Sequence, residues 1–335
     1  MHIQHNISLK KYNTFGVDVS AKQFVAVSNK SELEKLFDDS HSNFFILGGG
    51  SNILFRKDYD GLVIKNEILG IEIVEESDSA VIVKAGAGVV WHDLVLWAVE
   101  NNYSGIENLS LIPGSVGAGP IQNIGAYGVE LKDVFHSLEA FDIESKKIKS
   151  FNAGDCQFGY RNSIFKNELK NKVIITSVAL KLSKKSQVNI SYGSLKNYLE
   201  ENKTGEVSIK TVSDAVIAIR SSKLPDPKEL GNAGSFFKNP VISSKQFNLL
   251  KEVHANMVGY SVSETEVKVA AGWLIESCGW KGKRVGDTGS HAKQSLVLVN
   301  YDKATGDEVF KLSEEIIKSV KEKFNIELER EVNIL

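Results

Sequence analysis

The stretch from Leu111 to Gly128 constrains the fold of this chain more than any other. Five glycines and two prolines stand among small and apolar residues, without a charged side chain. Neither a helix nor a strand is built from that composition, and it is too apolar for a solvated linker. Glycine lets a backbone approach a bulky ligand and turn its N–H groups inward, and such a nest binds phosphate without a lysine. A tight buried turn that needs glycine for its dihedral angles explains one such loop equally well. A second, Gly48-Gly49-Gly50-Ser51-Asn52, shifts the expectation toward a nucleotide or flavin.

At 335 residues the chain is long enough for two or three domains with large cores. A hydrophobic content of 42% and a charged content of 24% are ordinary for a soluble globular protein. The formal net charge is −2, with acids and bases mixed and no Lys/Arg block, so no nucleic-acid partner is expected. No apolar run reaches the ~18 residues of a membrane span. The segment Met1–Asn6 has no basic region followed by an apolar one, so no signal peptide is expected. Cys156 and Cys278 lack metal or redox spacing, which fits a reducing cytoplasm and buried small residues. The seven histidines are scattered without an HExxH or other ligand pair, so no metal site is expected.

Phe24–Val27 reads as a strand. Ser31-Glu32-Leu33-Glu34 has the pattern of a capping box opening a helix with Leu33, Leu36 and Phe37 on its apolar face. Phe44–Leu47 is a second strand that runs straight into the triple glycine. The arrangement is a small βαβ unit whose loop lies at the carboxyl end of a strand, where α/β sheets place ligands. A strand at Val81–Lys84, a small-residue turn at 85–88 and a helix over Trp91–Glu100, apolar at 91, 94, 95 and 98, suit a second α/β unit. Neither G-x-G-x-x-G nor G-x-x-x-x-G-K-[ST] occurs. A bound dinucleotide must therefore rest its pyrophosphate on the irregular loops 48–52 and 111–128. Residues 135–182 alternate as strands. A helix over Ser213–Ser222 ends at Lys223-Leu224-Pro225-Asp226-Pro227, which with Gly231-Asn232-Ala233-Gly234 marks the domain boundary. Helices near 244–252 and 266–277, the latter closed by Gly279, and a strand Leu296–Val299 follow. Thr305-Gly306-Asp307-Glu308 is another capping box, opening a helix apolar at 309, 312, 316, 317 and 320. Ile326–Leu335 alternates as a terminal strand.

Several side chains could carry chemistry. In Phe158-Gly159-Tyr160-Arg161-Asn162-Ser163 an arginine sits among aromatic and apolar neighbours, where it either pairs structurally or clamps an anion. Ser235 follows a flexible glycine and precedes Phe236-Phe237-Lys238-Asn239-Pro240. A turn or N-cap serine is the plain explanation, and no G-x-S-x-G supports a nucleophile. Glu327, Glu329 and Glu331 share one face of the terminal strand, with Ile326, Leu328, Val332 and Ile334 on the other; periodicity does not select among the three. Arg220 and Lys223 are three apart on a helix end, able to receive a phosphate or to be surface charges. Tyr192 lies in a turn, and His92 reads as an ordinary, partly exposed histidine.

Together these segments resemble one family, the flavin-dependent UDP-N-acetylenolpyruvoylglucosamine reductases of bacterial cell-wall synthesis. The similarity runs from Asn13-Thr14-Phe15-Gly16 to Leu328-Glu329-Arg330-Glu331-Val332. It includes Leu47–Asn52, Ile112–Ala118, Gln122–Gly128, Tyr160-Arg161, Lys223-Leu224-Pro225, Gly234–Pro240 and Ala271–Glu276. The glycine loops alone are shared with many FAD oxidases of the vanillyl-alcohol-oxidase type; the Gly-Ser-Phe-Phe-Lys-Asn-Pro run and the terminal Glu are more specific. Tyr192 with its neighbouring insertion, and the total length, resemble the longer type I branch. Arg330 stands where the family pattern has Pro.

The resemblance implies an α+β/α/β protein: an FAD-binding fold of the vanillyl-alcohol-oxidase type, made of two α/β subdomains at 1–70 and 71–220. An α+β substrate-binding domain at 221–335 follows, its last strand returning to the active site. It implies noncovalent FAD, NADPH as co-substrate, and an enolpyruvyl ether of a UDP-sugar as the molecule reduced. Residues implied to bind the cofactor are Gly48, Gly49, Gly50, Ser51 and Asn52 in one loop. In the other they are Pro113, Gly114, Ser115, Gly117, Ala118, Gln122, Asn123, Gly125, Ala126, Tyr127 and Gly128. Arg161, Ser235 and Glu331 are the implied catalytic residues; Tyr192, Arg220, Lys223, Asn239 and Gln294 the implied substrate contacts. A cytoplasmic monomer is expected. The rival reading is another FAD-dependent oxidase or dehydrogenase of the same fold group, although loop 111–128 carries no histidine. A flavin- or nucleotide-binding module without catalysis would need none of Arg161, Ser235 and Glu331.

Overall fold

A computed structural model describes residues 1–37, 43–202 and 205–335. These gather into two compact units. One comprises Met1–Ile7, Ala21–Gly49 and Asp60–Ser222; the other comprises Ser8–Ser20, Gly50–Tyr59 and Lys223–Leu335. In sequence the last division between them follows Ser222, and Pro225 and Pro227 come shortly after it. Segments 8–20 and 50–59 belong to the C-terminal unit although no change of composition sets them apart from their neighbours.

Two larger sheets lie in the described residues of the first unit. A four-stranded sheet has the order Gln4–Ser8, Ser20–Val27, Tyr59–Asn66, Phe44–Leu47. Phe44–Leu47 runs parallel to Tyr59–Asn66, with Leu47 opposite Lys65. The expected βαβ unit is thus spaced by an intervening strand. Its helix, α1 (Lys30–Leu36), packs Leu33, Leu36 and neighbouring Phe37 against Val25, Val27, Leu62 and Ile64. The capping box is shifted from Ser31. Asn29 is the N-cap and accepts from Glu32 N–H at 3.0 Å, while Glu32 Oε2 accepts from Ser28 N–H at 2.7 Å.

The second sheet has the order Lys147–Asn152, Phe135–Asp142, Val173–Ser183, Ala80–Gly86, Ile71–Glu76, and every neighbouring pair is antiparallel. The strand–turn–helix at 80–100 therefore does not lead into a parallel strand. Helix α2 (Trp91–Glu100) buries Trp91, Leu94, Val95 and Ala98, the positions its spacing predicts. Val116, Ile124 and Leu131 join that core, so the glycine-rich loop is anchored by its few large apolar residues. Helices α3 (Ala153–Cys156), α4 (Gly193–Glu201) and α5 (Ile209–Lys223) complete the unit. α4 and α5 bury Leu195 and Leu199 with Val212, Val216 and Ile219. Burial pushes the Cys156 thiol up to about 12, leaving it an inert packing residue.

The second unit holds a sheet in the order Gly231–Ser235, Val297–Asn300, Thr288–Ser290, Arg284–Val285, and a three-stranded one in the order Val241–Ser243, Glu266–Val269, Gly259–Ser261. Three helices, α6 (Ser244–Val253), α7 (Ala271–Ser277) and α8 (Gly306–Phe324), pack with them. The helix expected over 266–277 is a strand followed by a helix. Glu266–Val269 is paired on both edges, and two neighbouring strands outweigh local helix propensity. The capping box of α8 forms as its sequence predicts: Thr305 accepts from Glu308 N–H, and Glu308 Oε2 accepts from Thr305 N–H at 2.7 Å. Val309, Leu312, Ile316 and Val320 are buried and Ile317 half-buried. The chain end is extended, burying Ile326, Leu328 and Val332 alternately, but it is not one continuous strand. Only Asn333–Ile334 pairs regularly, parallel to Ile53–Leu54. Among the described residues no helix is long and apolar enough to cross a membrane.

The loop 111–128 is fixed at its entrance by a side chain from α2. Leu111, whose φ is +58°, donates its N–H to His92 Nδ1 at 2.9 Å. That bond requires an unprotonated Nδ1. Burial lowers the His92 pKa, Asp93 raises it and Arg220 lowers it further. Folded His92 thus holds fewer protons than unfolded His92 below the ordinary value of about 6.5. Its contribution to stability is present above that value and is lost as pH falls through the lower folded value. Urea unfolding of the apoprotein should show wild type more stable than His92→Gln at about pH 7.5, with the gap closing toward about pH 5. A gap that does not change with pH contradicts this account of the loop.

Candidate active site

The two glycine loops meet backbone to backbone within the first unit. A Cβ on Gly49 would stand 2.7 Å from Gly114 Cα, and one on Gly48 would stand 2.4 Å from Ser115 Oγ. A Cβ on Gly117 would meet Ala87 Cβ at 2.5 Å. The tight-turn explanation of these glycines is therefore correct as sterics. The hydrogen bonds of the loop bear on the other explanation. The Gly114 carbonyl accepts from Trp91 N–H, and Val116 and Gly117 donate to Val89 and Ala87. Among the described residues, however, the N–H groups of Gly49, Gly114 and Ser115 have no acceptor. Adjacent amides without protein partners, next to a serine hydroxyl, have the donor pattern of an anion nest; Gly49 is exposed, Gly114 half-buried and Ser115 buried.

The rest of loop 111–128 is held by side chains. Asn123 (φ +45°) donates to Glu130 Oε2 and Gly159 O and accepts from Lys132 N–H. Gly125-Ala126 and Val129-Glu130 form a small hairpin. Asn108 Nδ2 donates to the carbonyls of Tyr127 and Asn189 at 2.9 and 2.8 Å. Pro113 and Gly128 are exposed, and Ala118 and Gln122 half-buried.

Arg161 lies beside this hairpin and donates from Nη2 to Gly125 O at 2.7 Å. Its φ of +51° places a bulky residue in the left-handed region, a strained choice typical of functional positions. Tyr127 and Tyr192 meet edge to face at 5.4 Å between ring centroids. Tyr192 is the N-cap residue of α4. Arg220 projects from α5 into this neighbourhood, and its buried Nε has no hydrogen-bond partner. Burial lowers its pKa, Tyr127 raises it and Arg161 lowers it. A buried cationic group left partly unsatisfied is poised for an anion. Lys223, at the end of the same helix, is exposed.

In the second unit, Ser235 ends the strand Gly231–Ser235 opposite Val297. Gly234, with φ +68°, turns the chain so that Ser235 is exposed while Phe236 and Phe237 are buried. Phe236 packs against Phe15 at 6.1 Å and Phe237 at 5.3 Å. Among the described residues Ser235 Oγ makes no hydrogen bond, so this serine is not a cap or turn fastener. The chain end passes alongside: Glu331 donates its N–H to Phe236 O at 2.8 Å, and Lys238 N–H donates to Glu329 O at 2.9 Å. Ser235 and Glu331 are thereby neighbours on adjacent extended segments. The geometry also separates the three terminal carboxylates. Glu327 and Glu329 are exposed, Glu329 in an ion pair with Lys238, whereas Glu331 is half-buried. Gly50, with φ +67°, is wedged against Tyr12, where a Cβ would stand 2.0 Å from its carbonyl oxygen. Ser51 is half-buried, and Asn52 donates from Nδ2 to Glu331 O. Asn239 Oδ1 accepts from Ala271 N–H at the start of α7. Gln294 lies at the same turn, its Oε1 3.1 Å from where a Gly272 Cβ would be.

Sequence reasoning missed His92 as a loop anchor, Asn108 as a clamp and Lys65 behind the nest, where its Nζ donates to Gly48 O at 2.8 Å. For Lys65 a signal exists: a lysine closes the apolar run Leu62-Val63-Ile64 just where a strand leads to the site.

Comparison with known proteins concerns the chain as a whole. A family model described as FAD binding domain matches residues 21–149, and one described as UDP-N-acetylenolpyruvoylglucosamine reductase, C-terminal domain, matches 226–335. The UDP-N-acetylenolpyruvoylglucosamine reductase of Flavobacterium johnsoniae is 54% identical and that of Amoebophilus asiaticus 48%, each alignment covering 100% of both chains. The crystal structure of the reductase of this name from Thermus caldophilus superimposes with a TM-score of 0.70 at 25% identity, covering 100% of this chain and 99% of that one. The chain, matched from end to end at this level, belongs to the UDP-N-acetylenolpyruvoylglucosamine reductase family.

Proposed function

We infer that the chain reduces the enolpyruvyl group of UDP-N-acetylglucosamine-enolpyruvate to UDP-N-acetylmuramate, with NADPH as electron donor and FAD as carrier. Full-length identity to the named reductases and the FAD binding domain over 21–149 support the activity. One observation carries the chemistry furthest: an exposed serine whose hydroxyl is uncommitted beside a half-buried glutamate.

The residues present fit FAD. Gly49, Gly114 and Ser115 offer three amide donors and a hydroxyl with no carboxylate among them, as a diphosphate requires. Bound there, FAD would supply the two-electron chemistry that carries hydride from NADPH to the methylene carbon of the enolpyruvyl group. The chain must then manage charge at the α-carbon and its carboxylate. Arg161 clamps that carboxylate with its planar donor fork. Glu331 assists in the protonated form, by donating to the same oxygens as they gain charge. Ser235 O–H delivers the proton to the α-carbon on the face opposite the hydride. Tyr192, Arg220, Lys223, Asn239 and Gln294 take the sugar and diphosphate. Residues 1–70 and 71–220 serve as the cofactor-binding subdomains and 221–335 as the substrate-binding domain, in a cytoplasmic monomer.

Arg161→Lys should keep the fold and lose turnover by about 10²-fold or more, because lysine keeps the charge without the bidentate geometry. Normal turnover with a lowered melting temperature would make Arg161 a structural residue. Ser235→Ala separates the half-reactions. Anaerobic rapid mixing should show nearly normal bleaching of the flavin by NADPH. Reoxidation by the enolpyruvyl substrate should slow by roughly 10²–10⁴, with partial recovery in Ser235→Cys. Equal slowing of both steps, or normal reoxidation, removes Ser235 from proton transfer.

A further inference from the structure

The glycine nest has a cation behind it. Lys65 lies opposite Leu47, the last residue of the strand that leads into the loop. Its side chain is half-buried, and Nζ donates to Gly48 O at 2.8 Å. Among the described residues no carboxylate pairs with it; Glu67 acts on it only through space, raising its pKa against the lowering by burial. A half-buried ammonium is costly to keep without a compensating partner.

Among the described residues there is no cis peptide bond. The Gly48 carbonyl and the Gly49 N–H therefore lie in one rigid plane and point in opposite directions. Holding the carbonyl toward Lys65 aims the N–H away from it, and that N–H is one of the three without an acceptor. A carbonyl that accepts from a cation also polarises its peptide, making the N–H a stronger donor. Without Lys65 this peptide has no side chain to fix its plane, and glycine on both sides lets it rotate.

We propose that Lys65 is the positioning residue for the diphosphate of FAD: it locks the Gly48–Gly49 peptide in the anion-binding orientation and sets a positive charge behind it. The proposal rests on the assignment of that diphosphate to the nest. The notion that such a nest works without a lysine is then incomplete for this chain, since the lysine acts from behind the loop and not on the ligand side.

The test uses full-length apoprotein titrated with FAD and with riboflavin, which lacks the diphosphate, read by flavin fluorescence. Lys65→Met should weaken FAD binding by about tenfold, the worth of one charge-assisted hydrogen bond, and leave riboflavin binding unchanged. Lys65→Arg, which can donate to the same carbonyl, should recover most of the loss. The fall of FAD affinity with added salt should be shallower in Lys65→Met. Unchanged FAD affinity in Lys65→Met overturns the proposal, as does an equal loss for FAD and riboflavin with a lowered apoprotein melting temperature. Gly49→Ala, run in parallel, tests the underlying assignment separately. Loss of FAD there with normal binding in Lys65→Met leaves the nest standing and removes Lys65, whereas normal FAD binding in Gly49→Ala removes the nest itself.

Discussion

The packing of one glycine loop on another governs the first unit. Gly49 against Gly114, and Gly48 against Ser115, leave no room for side chains, so the two backbones lie in direct contact. This contact is what allows amides from segments far apart in sequence to face one space. It also demands support, because glycine backbones do not hold themselves. Trp91 provides part of that support, its backbone N–H donating to Gly114 O and its indole to Leu109 O at 3.0 Å. Asn123, Asn108 and His92 supply more. Positive φ values at Leu111, Asn123, Tyr127 and Arg161 cluster in and beside the supported loop. Strain of order 1–3 kcal/mol per such residue persists only where surrounding structure over-determines it.

The second unit solves a different problem, that of presenting a reactive hydroxyl without committing it. Two buried phenylalanines anchor the chain directly after Ser235, so the serine is fixed through its backbone and its side chain stays available. The departure at Arg330 leaves that arrangement intact. Arg330 pairs across to Phe237, donates from Nε to Ser313 Oγ at 2.8 Å and stacks over Phe310 at 4.5 Å. Arg56 lies over the same ring at 3.9 Å. Where proline would stiffen the segment by its ring, this chain ties it to α8 with a guanidinium.

Much of this was legible in the sequence because it depends on short-range rules. The capping box at Thr305–Glu308, the buried face of α2 and the identity of both glycine loops follow from spacing and composition alone. What was not legible depends on long-range contact. Residues 266–269 look helical until strands on both sides claim them. The terminal alternation names a buried face correctly but does not reveal that only Asn333–Ile334 pairs regularly, nor that Glu331 is the least exposed of its three carboxylates. The N-cap of α1 is Asn29 and not Ser31, because the sequence offers two cap residues of equal preference two positions apart and spacing alone does not choose between them. His92 and Asn108 act on backbone atoms from a distance in sequence, and no local pattern encodes such bonds; at Lys65 the pattern marks the residue but not the carbonyl it holds. The catalytic assignments of Arg161, Ser235 and Glu331 came from the family resemblance, since the residue types alone left structural explanations open.

A crystal structure of the holoprotein tests the central claim most directly. The account predicts diphosphate oxygens of FAD within about 2.7–3.2 Å of the backbone nitrogens of Gly49, Gly114 and Ser115, with Lys65 still bonded to Gly48 O on the far side of the peptide. A diphosphate held elsewhere, with those three amides facing water or protein, would contradict it.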